Sequence, residues 1–259
     1  LSPKTFILLR VMGASVFFFL IHKLFIKEKI QRTDWYLMII CALFGVVINM
    51  LCFFEGLSIT TPINASLIMI TTPLIVYFIS IFKYKGDRDL KKMLGVILGL
   101  LGAGLLITNG TSFKLNNFGD FLVLINATSY ALYLILVKSI MRKYHAITVL
   151  KTVFLIGLVI IFPIAYKDLI ELNFHVMPTH IILKVLFVVF FTTCGAYFLN
   201  IYAIKQLNPS KVAFYIYLQP LLATLLSIIL GKDMLSSTKI LASILIFIGV
   251  YFVLKTNNT

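Results

Sequence analysis

Apolar residues along this chain are gathered into nine long blocks, separated by short polar or basic connections. Each block has about 17 to 25 residues, the length that an α-helix needs to cross roughly 30 Å of hydrocarbon. The pattern therefore predicts a single bundle of nine membrane-spanning helices without a separate soluble domain. The predicted spans are Thr5–Ile26, Asp34–Leu57, Pro62–Phe82, Leu90–Thr108, Phe118–Ile140, Ile147–Ala165, Ile181–Ile204, Pro209–Leu230 and Thr238–Leu254.

The composition agrees with lipid as the solvent. Hydrophobic residues make up 61% of the 259 residues and charged residues only 12%, with a mean hydropathy of +1.04. A water-soluble domain carries about 25% charged residues, because a compact globule needs a polar exterior. The composition excludes a soluble fold and predicts an all-α integral membrane protein whose surroundings are the lipid bilayer.

The net charge of +14 raises the question of nucleic-acid binding, which basic chains often carry out. The basic residues stand in short clusters between the apolar blocks, however, and fifteen of the 23 fall on one side of the predicted bundle. Lys29, Lys85 and Lys143 belong to that side, and Lys114 and Lys167 to the other. The positive-inside rule explains this distribution and predicts a cytoplasmic C-terminus, so no nucleic-acid partner is expected.

An internal repeat relates the two halves of the chain at an offset of 147 residues. It predicts two units, residues 1–112 and 113–259. The second unit has five predicted spans and the first has four, so we expect a ten-helix parent with one further helix before Thr5. With five helices per unit, the units enter the membrane from opposite sides, which is the inverted-topology repeat of many secondary transporters. The matching pairs are Pro62 with Pro209, Pro73 with Pro220, and Gly102 with Gly249.

Polar residues around the two mid-span prolines are the candidate binding groups. A proline inside a helix frees the carbonyl four residues before it, and in lipid that carbonyl needs another donor. The side chains nearby either meet this need or line a cavity between the halves, to which Tyr197, Tyr215 and Tyr217 would add aromatic surface. Candidate substrate-binding residues are Asn49, Thr71, Thr72, Asn126, Tyr130, Asn200, Tyr215 and Gln219, and candidate hinges are Pro73 and Pro220.

Spacing and charge leave several of these interpretations open. Asn126, Tyr130 and Tyr133 share one helix face, which indicates either interhelical hydrogen bonds or a cavity lining. Arg10 and Lys151 lie near the ends of their spans, where long side chains snorkel, so anchoring at the membrane surface is expected of both. Glu55 is a candidate proton-coupling residue if it is buried and merely solvated if it is interfacial.

No motif indicates catalysis. The sequence offers no paired carboxylates and no nucleophile with a neighbouring base, so no enzyme activity is predicted and no catalytic residue is assigned. The three cysteines lie inside apolar blocks without metal-ligand spacing, and we expect neither a metal site nor a cofactor.

Several apolar and proline-containing segments together form a recognisable pattern. They are Asn49–Leu57 (NMLCFFEGL), Thr61-Pro62 through Thr72-Pro73, Gly95–Ile107 (GVILGLLGAGLLI), Tyr197–Ile204 (YFLNIYAI), Pro209, Gln219-Pro220, Ile246–Val253 (IFIGVYFV) and Leu1–Arg10 (LSPKTFILLR). In these segments the chain resembles the EamA-type family of the drug/metabolite transporter superfamily, and Tyr130-Ala131 is typical of the corresponding helix in that family. The resemblance covers nearly the whole chain and implies ten helices, both termini inside, and export or exchange of small metabolites.

These observations predict a secondary transporter of small amphipathic metabolites such as amino acids, working by alternating access around a midplane cavity. The expected location is the bacterial inner membrane. A nucleotide-sugar or drug carrier is the alternative within transport, and a non-transporting membrane receptor or scaffold is the alternative outside it. A polar cavity at the midplane favours transport, whereas a sealed apolar interface between the halves favours the scaffold.

Overall fold

The computed structural model describes residues 2–83, 89–108, 117–171, 177–231 and 234–255. Within these ranges the chain forms nine helices that are long and apolar enough to cross a membrane, as the sequence predicts. Lys85, Lys114 and the predicted boundary between residues 112 and 113 lie outside the described residues. The helices are α1 (Pro3–Phe25), α2 (Arg32–Ile59), α3 (Pro62–Lys83), α4 (Leu90–Thr108), α5 (Phe118–Met141), α6 (Ala146–Ile170), α7 (Thr179–Gln206), α8 (Pro209–Ile229) and α9 (Ser237–Lys255).

One predicted helix end is wrong by a full turn. The sixth span was expected to end at Ala165, where the polar residues begin, but α6 continues to Ile170. The extra turn is held by tertiary contacts, because Ser2 Oγ donates to Asp168 Oδ2 over 2.7 Å and Leu169 packs against the hydrophobic core. A fall in hydropathy therefore marks the end of the apolar segment, whereas the helix itself extends further.

Four helices contain irregular segments, and these recur in the two halves. Adding 147 to the first and last residue numbers of α2 gives those of α7, and the same offset gives the bounds of α9 from those of α4. It also brings the π-helical segment Leu43–Val47 of α2 inside the π-helical segment Val188–Gly195 of α7. The helix of α3 is interrupted after Met69, and that of α8 by a 3₁₀ turn at Tyr215–Tyr217. Both interruptions lie in the turn before a proline, whose backbone cannot donate to that turn.

The buried side chains form two cores. The larger core joins α1, α2, α5, α6 and α7 and also includes Val76 of α3 and Val212 and Ala213 of α8, whereas the smaller core joins α3, α4, α8 and α9. In the smaller core, α4 and α9 pack with their backbones in contact. A Cβ atom added to Gly95 would lie 2.8 Å from the carbonyl oxygen of Gly249, and one added to Gly249 would lie 2.6 Å from that of Gly95. Small residues permit this approach, which drives helix association where lipid supplies no hydrophobic force.

Polar contacts tie the helix ends together on the membrane side where α5 and α7 end, which we call the basic end. Lys138 on α5 donates to the carbonyls of Ile204 and Leu207, over 2.7 and 2.9 Å, and so caps the C-terminus of α7. Lys143 Nζ donates a hydrogen bond to Asp34 Oδ1 over 2.8 Å, which makes the two side chains an ion pair. This bond raises the pKa of the Lys143 ammonium group. These bonds supply partners for carbonyls and charges at a helix end.

Candidate functional site: a cavity between the two cores

A cavity of about 410 Å³ lies between the two cores. Its volume is in the range of ordinary small-ligand sites. Residues of α1, α2, α3, α5, α7 and α8 form the wall, so both halves of the chain contribute to it. The wall combines amides, tyrosine hydroxyls and aromatic faces with one guanidinium group, which suits the binding of a solute that has both polar and apolar parts.

The structure brings six of the eight predicted binding residues together in this wall. The other two, Thr71 and Thr72, do not line it. Thr71 Oγ1 donates to the carbonyl of Ile68 over 2.7 Å, and the fully buried Thr72 Oγ1 has no hydrogen-bond partner in the described part of the chain. Tyr217, expected to add aromatic surface, is buried in the smaller core against Phe214. The six residues in the wall are Asn49, Asn126, Tyr130, Asn200, Tyr215 and Gln219.

The irregular segment of α2 is stabilised by side chains from neighbouring helices. A π-helical segment displaces its carbonyls from the regular helical pattern, and in a membrane these groups need other donors. Residues of α5 and α7 donate to two carbonyls of this segment and to a third, that of Asn49, two residues after it. The bonds run from Ser129 Oγ to Phe44 O (2.6 Å), from Tyr197 Oη to Gly45 O (2.9 Å), and from Asn126 Nδ2 to Asn49 O (2.7 Å).

A second group of contacts joins α5 to α7 across the cavity. Asn200 Nδ2 of α7 donates to Tyr130 Oη of α5 over 2.7 Å. Within α5, the rings of Tyr130 and Tyr133 stack with their centroids 6.2 Å apart. Tyr133 fits because its ring lies against Gly45, where a Cβ atom would be 2.5 Å from Tyr133 Cδ2. Asn126 Oδ1 and Tyr133 Oη are buried without a hydrogen-bond partner among the described residues. Both side chains belong to the wall of the cavity.

Arg10 lines the cavity, although the sequence indicates an anchor at the membrane surface. Its guanidinium carbon lies 4.9 Å from the ring centroid of Phe54, and its Nε donates to Thr193 Oγ1 over 2.9 Å. Thr193 Oγ1 in turn donates to the carbonyl of Val188, 3.0 Å away in the π-helical segment of α7. The irregular turn of α7 thus holds the hydroxyl that orients the arginine.

The two mid-span prolines differ in their surroundings. Pro220 lines a second cavity of about 500 Å³, whereas Pro73 is buried away from both cavities. Met69 and Ile216, which lie four residues before the prolines, line both cavities. Phe53 and Gln219 also belong to both walls, so the two cavities adjoin.

The remaining ionisable candidates lie outside the central cavity. Glu55 lines a separate groove between α2 and α5 beside Cys52, and its Oε1 is buried without a hydrogen-bond partner in the described residues. Lys151 lies 3.5 Å from His22 Nε2 in a third cavity that also contains Glu28. Neither side chain contributes to the wall of the central cavity.

Sequence reasoning found tyrosines of the wall but missed its phenylalanines and its aliphatic part. Met50, Phe53 and Phe54 line the cavity beside Asn49 on α2, and Thr192 and Ala196 line it on α7. Helical spacing could have indicated Phe53, because it lies four residues after Asn49 on the same face. Arg10 could not have been found in this way, since its position on the wall depends on how α1 is turned toward α2 and α7.

A model of the EamA-like transporter family matches residues 1–108 and 117–255. The chain belongs to this family. EamA-like proteins are part of the drug/metabolite transporter superfamily, which confirms the resemblance read from the sequence. The chain is accordingly an integral membrane transporter.

Several relatives of this EamA-like chain are known by sequence. An uncharacterized transporter of Archaeoglobus fulgidus is 26% identical over 230 residues, which cover 86% of this chain and 77% of the relative. An uncharacterized transporter of Methanothermobacter thermautotrophicus is 28% identical over 87% of this chain and 66% of its own length. The uncharacterized transporter YyaM of Bacillus subtilis is 23% identical over 87% and 75%, respectively.

The architecture also matches a solved crystal structure. The two superpose with a TM-score of 0.81 over 99% of this chain and 90% of the other, at 18% sequence identity. At this identity the likeness concerns the fold alone.

Proposed function

We propose that this EamA-like protein is a secondary transporter that exports or exchanges small amphipathic metabolites, such as amino acids, by alternating access around the central cavity. The observation that carries the proposal is the cavity itself, whose wall combines polar and apolar groups and is built from both halves of the chain. A sealed apolar interface would have favoured a receptor or scaffold. Because both halves contact the same space, rocking of one half against the other would expose a bound solute to either side.

The repeat supports this mechanism. We treat residues 1–112 and 113–259 as two units of inverted topology, and the proposal is supported by the helices and irregular segments that recur at the offset of 147 residues. The basic end would face the cytoplasm, together with the C-terminus, in the inner membrane of a bacterium. Bacterial and archaeal transporters among the relatives agree with a prokaryotic membrane.

The second cavity suggests which side has access in this conformation. It adjoins the central cavity and continues along Leu57, Pro62 and Leu106, toward the end where α2 ends and α3 begins. At the basic end, by contrast, Lys138 ties α5 to α7. We infer a conformation whose solute site opens away from the basic end, with the hinges at Pro73 and Pro220 permitting the opposite state.

The residue roles follow from these positions. The amides and tyrosines of the wall would bind the polar parts of the solute, and the rings of Phe53, Phe54 and Tyr215 its apolar part. Glu55 lies apart from the cavity, so a proton taken up there would act on transport by changing how α2 packs on α5. Dependence of transport on a proton gradient would support this coupling role.

The experiment is transport by the purified protein in liposomes loaded with one labelled solute at a time, using amino acids, nucleotide sugars and cationic dyes as separate sets. We expect amino acids to exchange across the membrane. We also expect Gln219→Ala to reduce their affinity about 5- to 30-fold, because the buried polar groups of the solute lose a partner worth about 1 to 2 kcal/mol.

The matched control is Gln206→Ala, the same substitution at an exposed position at the end of α7. It should leave affinity unchanged. Exchange of nucleotide sugars or dyes without exchange of amino acids would replace the proposed substrate class. Absence of transport in every set, by protein that retains its melting transition, would favour a receptor or scaffold.

A further inference from the structure

The central cavity contains a positive charge that no residue in its wall balances. Arg10 lies in the wall, and none of the described residues around the cavity is acidic. The guanidinium group makes its one hydrogen bond through Nε, to the neutral hydroxyl of Thr193, and otherwise packs over the rings of Phe54 and Phe6. Its two terminal nitrogens therefore have no hydrogen-bond partner among the described residues.

None of the acidic side chains in the described regions lines the central cavity. Glu55 faces the groove between α2 and α5, on the other side of α2 from the cavity. The others lie toward the ends of the bundle. Asp34 binds Lys143, Glu28 accepts from the backbone N–H of His145, Asp120 accepts from Asn64, Asp168 accepts from Ser2, and Asp89 accepts from the backbone N–H of Lys91. Glu171 is exposed just after the end of α6.

Because the described wall supplies no counter-ion for Arg10, an anion from outside the chain can pair with it. A charge inside the membrane is costly unless it is paired or faces water, and a guanidinium group with free terminal nitrogens binds a carboxylate through two parallel hydrogen bonds. The contact with Thr193 and the two rings holds the group in place, so little conformational freedom is lost when an anion binds.

We propose that Arg10 is the anion-binding residue of the central cavity and that the solute is a carboxylate with an apolar body. The apolar body packs on Phe53 and Phe54, in the same wall as Arg10. Asn126 Oδ1, which is buried without a partner, accepts a hydrogen bond from an N–H group of the solute. Its orientation is set because Nδ2 of the same amide donates to Asn49 O. The inference rests on the proposed function, since the cavity must admit a solute.

The test compares matched ligands that differ only in the carboxylate. Binding to the full chain in lipid nanodiscs is measured for L-leucine against L-leucinamide, for L-phenylalanine against L-phenylalaninamide, and for 3-phenylpropionate against 3-phenylpropionamide. We expect the carboxylate of at least one pair to bind about 10- to 100-fold more tightly than its amide, as a charged hydrogen bond requires.

Variants then assign the preference to Arg10. Arg10→Gln should bring the ratio of carboxylate to amide affinity close to one, and Arg10→Lys should retain part of the preference. Arg142→Gln, at an exposed arginine of the basic end, should leave the ratio unchanged. The ratio is measured on the folded fraction, so a loss of stability in Arg10→Gln does not alter it.

The outcomes separate the two proposals. Binding of both members of every pair with equal affinity, or a preference that survives Arg10→Gln, would overturn the role of Arg10 and leave the transport cavity standing. Absence of binding by all six compounds would overturn the carboxylate assignment. If other solute sets still exchange in liposomes, the transport proposal survives that loss; if none does, both proposals fail.

Discussion

Thr72 and Gln219 occupy equivalent positions in the repeat, each directly before its mid-span proline, yet they have different surroundings. Gln219 lines both adjoining cavities, whereas Thr72 is buried and its hydroxyl has no partner in the described residues. A binding role fits Gln219 but has no support in the position of Thr72. A buried hydroxyl without a partner costs desolvation energy that no hydrogen bond returns.

This difference predicts that Thr72→Val keeps or raises stability. Valine has the shape of threonine and removes the buried polar atom, so we expect the free energy of unfolding to stay constant or rise by up to about 1 kcal/mol. Thermal unfolding in detergent measures it. Ser129→Ala is the contrasting variant, because it removes the donor to Phe44 O and should destabilise by about 1 to 3 kcal/mol. A comparable loss in Thr72→Val would mean that its hydroxyl is bonded.

At the scale of elements, the end of α7 depends on a side chain of another helix. Lys138 of α5 is buried and donates to carbonyls at the C-terminus of α7, which have no partner within their own helix. Lys138→Met keeps the apolar stem but removes the donors. We expect a loss of about 2 to 3 kcal/mol in the free energy of unfolding, measured by thermal or denaturant unfolding.

Lys205→Met provides the control for that change, since Lys205 is an exposed lysine at the same end of α7. Its substitution should alter stability by less than about 0.5 kcal/mol. Equal effects of the two variants would contradict the capping role of Lys138.

The interrupted helices α3 and α8 lead to a prediction about turnover. Pro73→Ala and Pro220→Ala restore a backbone donor toward Met69 and Ile216, which favours a continuous helix in place of the break. If the breaks act as hinges, turnover in liposomes should fall about 5- to 10-fold, equivalent to ~1 to 1.4 kcal/mol on the barrier, with a smaller change in affinity.

Pro163→Ala is the corresponding control for the hinges. Pro163 lies inside α6 at an exposed position away from the described cavities. Its replacement should leave turnover unchanged. A loss of affinity without a loss of turnover in the Pro73 and Pro220 variants would indicate that the breaks shape the binding site and do not move.

The whole molecule has a predicted orientation that labelling can decide. Single cysteines at Lys29 and Arg142 should react with a membrane-impermeant thiol reagent only from the cytoplasmic side, and a cysteine at Lys167 only from outside, because of the positive-inside rule. All three positions are exposed. Reaction of Arg142 and Lys167 from the same side would refute the orientation. The background for the labels must first lose the three native cysteines, which are Cys41, Cys52 and Cys194.

The sequence by itself determined the number and order of the helices in the described part of the chain, the approximate length of most of them, and the proline interruptions of α3 and α8. Hydrocarbon thickness sets the length of an apolar block, and proline removes a backbone donor wherever it stands, so both effects can be read without knowing the neighbours. The extra turn of α6 could not be predicted in this way, because Ser2, which is distant in the chain, helps to hold it.

Only the tertiary structure decided which side chains meet in the cavity. The rotation of each helix about its axis follows from packing against several others, and the apolar blocks carry little amphipathic pattern by which to set it. Gln219 and Thr72 are therefore equivalent in sequence but not in space, and Arg10 faces the interior because α1 packs against α2, α6 and α7 together. A charge near the end of an apolar block can reach the membrane surface or a central cavity, and the neighbours of its helix decide which.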